Sequence, residues 1–214
     1  IVGWIVQARL QSVFAKYARV PFPGGLTGAE VAEKMLRDNG IRNVKVTHVA
    51  GHLTDHFNPQ TMTVNLSDSV YSSSSVAAAA VAAHECGHAV QHAHAYAPLK
   101  MRSSLVPVIS FASNWMMWVL LIGMFTLNVF PQIMLFGIIL FAATTLFSFI
   151  TLPVEIDASR RAVKWLSEAG VTNNRNYGAA VSALRSAAYT YVVAALGSLA
   201  TLLYYVMIFL GRRD

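Results

Sequence analysis

The sequence predicts a mainly α-helical membrane protein with a small antiparallel β-sheet, its polar part interrupted by a transmembrane helical hairpin. Three observations predict it. The run from Ser103 to Val154 contains no Asp, Glu, Lys, Arg or His over 52 residues. A second uncharged run, Ser186 to Gly211, covers 26 residues. Between Lys45 and Leu66 the pattern changes to the alternation of half-buried strands. A helical span takes about 20 residues, so the first run makes two spans and a turn, and the second makes one. Charged residues make up 12% of the chain, where a soluble domain averages about a quarter. Net charge is +6, but the basic residues are spread along the chain with no dense Lys/Arg tract. That argues against nucleic acid as a partner.

In chain order, residues 1–8 read as the end of a transmembrane helix whose start would lie ahead of Ile1. Residues 7–20 read as a helix whose Arg9, Lys16 and Arg19 suit the water–membrane boundary. Pro21–Gly25 forms a loop. Thr27-x-x-Glu30 is a capping box, and Gly40 is a stop, so a helix lies between with Val31, Met35 and Leu36 buried. Lys45–Val49, Thr54–Phe57 and Thr61–Leu66 read as strands, the last two joined by the turn Asn58-Pro59-Gln60. Ser67-Asp68 and Ser72–Ser75 offer caps for the next helix, and Pro98 marks its end.

That helix carries His84-Glu85-Cys86-Gly87-His88 in an alanine-rich stretch. Residues four apart share a helix face, so His84 and His88 can present two imidazoles to one ion, with zinc the usual occupant. Glu85 lies off that face, placed as a base for a metal-activated water. Cys86, the one cysteine, excludes an intrachain disulfide and reads as a packed apolar residue; a redox-sensitive thiol is the alternative. His48, His52 and His56 are close in sequence and read as surface histidines.

The hairpin turns near Asn128–Gln132. Beyond it, Pro153 opens a helix that carries Glu155 and stops at Gly170, and a further helix starts at Asn173. The domain boundaries follow: a first catalytic part at 9–102, the hairpin at 103–152, a second catalytic part at 153–185 and the last span at 186–211. The hairpin turn is uncharged, so both its flanks lie on one side, and that side carries 14 of the 16 Lys and Arg. The positive-inside rule makes it cytoplasmic. The expectation is a multi-pass protein of a bacterial-type cell membrane, in contact with lipid bilayer, its oligomeric state left open.

A catalytic zinc, one per chain, needs three protein ligands and an open position for water. Three candidates compete for the third. His92 sits a further turn along the same helix, too far by rise for the same ion. His94 has the spacing of a three-histidine motif whose glycine break is here Gln91. Glu155, at the membrane boundary, is favoured. Glu85 would then take the proton of a water whose pKa zinc lowers to about 7, and return it to the leaving amine. Tyr96, Tyr189, Tyr191 and His56 are the candidate oxyanion donors. The rival readings are a non-catalytic scaffold with a structural zinc, which would commonly use more cysteine, and a zinc transporter or sensor, which needs ionisable residues inside the spans.

LTGAEVAEKML (26–36), LTDHFNP (53–59), VAAHECGHAVQHAHAYAPLKMRSSLVP (81–107) and TLPVEIDASRRA (151–162) together resemble the YugP-type neutral zinc metallopeptidases of bacterial membranes. More distantly the chain is similar to the HtpX and CAAX-prenyl-protease gluzincins. The resemblance implies a gluzincin-like core and a membrane-bound zinc endopeptidase acting on peptide or protein substrates. It implies Glu155 as third ligand in a Glu-x-x-Ala-Asp pattern, which departs at Ser159; Asp157 or Ser159 would then support a zinc histidine. It also implies that Thr61–Leu66 is a sheet edge, with Thr61, Met62, Thr63, Val64 and Asn65 pairing with an extended peptide.

Overall fold

The computed structural model of the protein describes residues 2–51, 53–170, 172 and 174–211. Ile1, His52 and Asn173, all used in the sequence reading, lie outside the described residues. The chain is mainly helical, with helices α1 (Val2–Tyr17), α2 (Gly28–Asp38), α3 (Asp68–Tyr71), α4 (Val76–Ala93), α5 (Ala97–Phe125), α6 (Pro131–Glu168) and α7 (Asn174–Gly211). Strands β1 (Lys45–Val49), β2 (His56–Asn58) and β3 (Thr63–Ser67) form one sheet. Helices α5, α6 and α7 are long and apolar enough to cross a membrane.

The predicted capping box forms in full. The Thr27 hydroxyl accepts from the Glu30 amide, and the Glu30 carboxylate accepts from the Thr27 amide at 2.8 Å. Four otherwise orphaned amides begin every helix, and the reciprocal pair satisfies two donors at this end. Val31, Ala32, Met35 and Leu36 then face inward and meet Val64 and Leu66 of β3 and Cys86 and Val90 of α4 in one core. Leu166 and Trp165 of α6 close that core from the other side. Burying a side chain of this size contributes roughly 1.5–3 kcal/mol, so this cluster is what holds α4 in place between the sheet and the spans.

The sheet departs from expectation. Its order is β1-β3-β2, with β3 parallel to β1 and antiparallel to β2. It is mixed, not antiparallel. The parallel pair is reached by a crossover that includes β2 itself. The Thr61–Asn65 segment is therefore no sheet edge. Thr63, Val64 and Asn65 are paired on both sides, and Thr61 and Met62 lie in the turn before them, Met62 with φ 53°. Both β2 and β3 pack against α4, and β2 is the sheet edge, its Phe57 amide bonded to Glu85.

Three helix boundaries also differ. Of the stretches read as 1–8 and 7–20, residues 2–17 form one continuous helix, packed along α7. The motif helix stops at Ala93, not near Ala97: His94 caps it, Ala95 turns at φ 53°, and Pro98 sits in the first turn of α5. Pro153 does not open a new helix but lies inside α6. A proline there removes one backbone hydrogen bond, which spans tolerate where neighbouring side chains re-satisfy freed groups.

Helix α4 crosses α6 at Gly87. A Cβ at that position would meet the Ala158 carbonyl oxygen at 2.6 Å. The neighbour is backbone, so the helices themselves would have to part. Gly87→Ala is expected to lower stability by about 1–3 kcal/mol, read by thermal unfolding of the purified chain. Gly178→Ala, whose Cβ meets nothing within 4 Å, is expected to leave the midpoint unchanged or slightly higher.

Candidate metal centre

His84 and His88 lie one turn apart on α4, and their rings meet edge to face with centroids 4.9 Å apart. Glu155 projects from α6 onto both. Its Oε2 is 3.2 Å from His84 Nε2 and 3.5 Å from His88 Nε2. One donor atom from each of the three residues falls within 4.8 Å of the others. The predicted trio is therefore brought together. Among the described residues no fourth His, Cys, Asp or Glu joins it.

The far side of each imidazole is also held. Gln91 is fully buried. Its amide nitrogen donates to the Val154 carbonyl and to Asp157 Oδ2, both at 2.8 Å. Those groups can only accept, so the amide oxygen must be what faces His88 Nδ1, at 3.0 Å. His88 then carries its proton on Nδ1 and turns Nε2 toward Glu155. Asp157 is held in turn by Arg161 at 2.6 Å. The Ser159 hydroxyl lies 3.1 Å from His84 Nδ1 and fixes that ring. Both residues left as alternatives by the sequence thus take part, Ser159 directly and Asp157 through Gln91. Two imidazole nitrogens and a carboxylate oxygen, with each ring's second nitrogen engaged, form a donor set that fits zinc.

Electrostatics agree with the grouping. Burial disfavours the His88 imidazolium, but the Glu155 carboxylate and the negative charge of Glu85 outweigh it and raise its pKa above the ordinary histidine value. Cys86 is inert: burial pushes its thiol far up, and Sγ packs against the Ala32 carbonyl.

The remaining candidates sort clearly. Glu85 is outside the trio, and its Oε2 accepts from the Phe57 amide on β2 at 3.1 Å. Glu85, His84, His88, Glu155, His56 and Tyr191 line one cleft of about 170 Å³. Arg102, which the sequence reading passed over, lines it too and places Nη1 3.6 Å from Glu155 Oε1. Its signal was present: it is the last charge before the uncharged run. His94 Nδ1 bonds back to the Val90 carbonyl as a helix cap, and His92 packs beside Phe57. His48 pairs with Asp68. Tyr96 packs under Arg161, and Tyr189 bonds Arg185. His56 has both nitrogens engaged, Nδ1 with the Thr54 carbonyl and Nε2 with Asn65.

Glu155→Ala is expected to lower zinc affinity by orders of magnitude, and Gln91→Leu by about 10–100-fold, while His94→Ala leaves it unchanged. Chelator competition measures all three. Affinity should fall as pH drops through the raised His88 ionisation, because the ion and the proton compete for that ring.

Comparison with known proteins agrees with this geometry. The family model described as "Putative neutral zinc metallopeptidase" matches residues 1–210. The "Putative membrane protease YugP" of Bacillus subtilis (strain 168) is 44% identical over 210 residues, covering 97% of this chain and 92% of that protein. No solved structure matches. With a match along nearly its whole length, the chain belongs to the family that this model describes.

Proposed function

We propose that the protein is a membrane-embedded zinc endopeptidase, one zinc per chain, that hydrolyses peptide bonds of membrane or membrane-associated proteins. The observation that carries this reading is the split between Glu85 and the trio. Three donors converge, while the carboxylate next in sequence to His84 faces the same cleft without joining them. A closed structural site would call for a fourth protein ligand. His84, His88 and Glu155 hold the ion, which when bound supplies Lewis acidity and a water nucleophile at neutral pH.

The remaining work falls to the chain's own groups. The Phe57 amide holds the Glu85 carboxylate, so one oxygen is oriented to take a proton from water and deliver it to the leaving amine. Of the sequence-predicted oxyanion donors, His56 and Tyr191 line the cleft; both His56 nitrogens are engaged, so the Tyr191 hydroxyl, which reaches Glu155, is the one that would meet the developing charge. Arg102 binds the second oxygen of Glu155, which keeps the first for the ion. The substrate backbone runs along the outer side of β2 in place of Thr61–Asn65, because β2 is the strand turned toward Glu85. Next to this cleft, sharing His84, Glu85, Asp55 and Tyr191 with it, a cavity of about 510 Å³ receives substrate side chains.

The catalytic side is cytoplasmic in this reading. The α5–α6 turn carries no charge, and 14 of the 16 Lys and Arg lie on the side of the metal centre.

Glu85→Gln is expected to abolish peptide hydrolysis while the purified protein keeps its zinc, since a base is removed and no ligand is. Loss of metal comparable to His84→Ala would refute the assignment. Tyr191→Phe should lower kcat about 10²–10³-fold with zinc retained, the size found for losing one oxyanion donor. For topology, a reporter enzyme active only outside the cytoplasm, inserted beside Asn173, should be silent; activity there would invert the orientation.

A further inference from the structure

Away from the metal cleft, a groove of about 540 Å³ runs between α6 and α7. Arg160, Lys164 and Arg185 line it, against the single carboxylate of Glu168. Ile156, Leu184 and Ala188 give it an apolar floor. Arg185 also lines an adjoining polar cavity with Arg9, so a fourth cation stands at its end. Glu168 offsets little of this charge: its pair with Lys164 is 3.8 Å long, and both side chains are mostly exposed.

The position of the groove is as informative as its charge. On α6 it begins just after the uncharged run ends at Val154, and on α7 it reaches Ala188, just inside the next uncharged run. The end formed by Ile156, Arg185 and Ala188 therefore sits where a bilayer's headgroups meet its acyl chains. Cationic pockets between spans at that level recognise anionic lipid headgroups. An inorganic phosphate would use the cations alone, and the apolar floor would be left without a partner.

We infer that this groove is a binding site for an anionic phospholipid. Arg160, Lys164 and Arg185 take the phosphate, and an acyl chain lies along Ile156, Leu184 and Ala188. Arginine meets phosphate with two parallel donors, and lysine adds a point charge. The groove also reaches Ser159, whose hydroxyl holds His84, so the lipid would lie one side chain from the metal centre. The inference depends on the chain being in a membrane and not on the hydrolysis proposed above.

The test uses the full chain purified in dodecyl maltoside, with thermal unfolding as the readout. Dioleoyl phosphatidylglycerol should raise the midpoint saturably, by roughly 5–10 °C at a hundredfold excess over its Kd. Dioleoyl phosphatidylcholine and sodium phosphate at matched ionic strength should give less than a fifth of that shift. The Arg160→Gln/Lys164→Gln/Arg185→Gln variant should lose the phosphatidylglycerol shift, and the Arg19→Gln/Arg42→Gln/Lys45→Gln variant should keep it. Should the first triple variant fail to fold, Ala188→Trp decides, because it blocks the floor and leaves the charges in place; it too should lose the shift. An equal shift from phosphatidylcholine, a full shift from phosphate alone, or a shift kept by both groove variants would overturn the inference.

Discussion

Everything at the metal centre depends on how closely α4 and α6 approach. A straight helix can offer one ion two side chains, because a third on the same face lies a further turn, about 6 Å, along the axis. The third donor must come from elsewhere, and it must arrive at a distance set by the ion. Gly87, inside the motif, is what permits this. It lies on the backbone of Ala158, three residues after Glu155, with no room for a methyl group. The residue between the two histidines that looks least chemical therefore decides whether the carboxylate can reach them.

Gln91 adds a second tie between the same two helices. It reads His88 with its oxygen and α6 with its nitrogen, at both Val154 and Asp157. Because Val154 and Asp157 flank Glu155, the side chain that orients His88 also registers the helix that brings Glu155. Shifting α6 by one residue would leave a buried amide unsatisfied, at a cost of about 1–3 kcal/mol. Packing at Gly87 sets the spacing of the helices, and Gln91 sets their register.

Much of this was legible in the sequence, and the rest failed for identifiable reasons. The metal trio, the capping box of α2, the three apolar helices and the small sheet all follow from spacing, caps and runs without charge. The placing of β3 in the middle of the sheet did not, because alternation reports that a strand is half-buried and says nothing about which strands pair. Pro153 was read as a helix start by a rule for helices in water; in α6 the apolar neighbours carry the helix through it. Gln91 was read by what it is not, a glycine, and that argument missed that the chain would still leave the helix at Ala95. Its positive role rests on two residues more than 60 positions away, which no local pattern contains.

The hairpin, which looks in the sequence like an insertion between two polar parts, contributes to the candidate site. Its first helix leaves from Arg102 and its second returns at Glu155, and the two side chains meet at 3.6 Å. The ion pair thus joins the base of one span to the base of the next. Between those bases, Gly123 and Gly137 let α5 and α6 pack so closely that a Cβ at either would fall within 2.8 Å of the opposite helix. In hydrocarbon such contact, and not the hydrophobic effect, is what holds two helices together. Glu155 is therefore approached from two directions, by α4 through Gly87 and Gln91 and by α5 through Arg102.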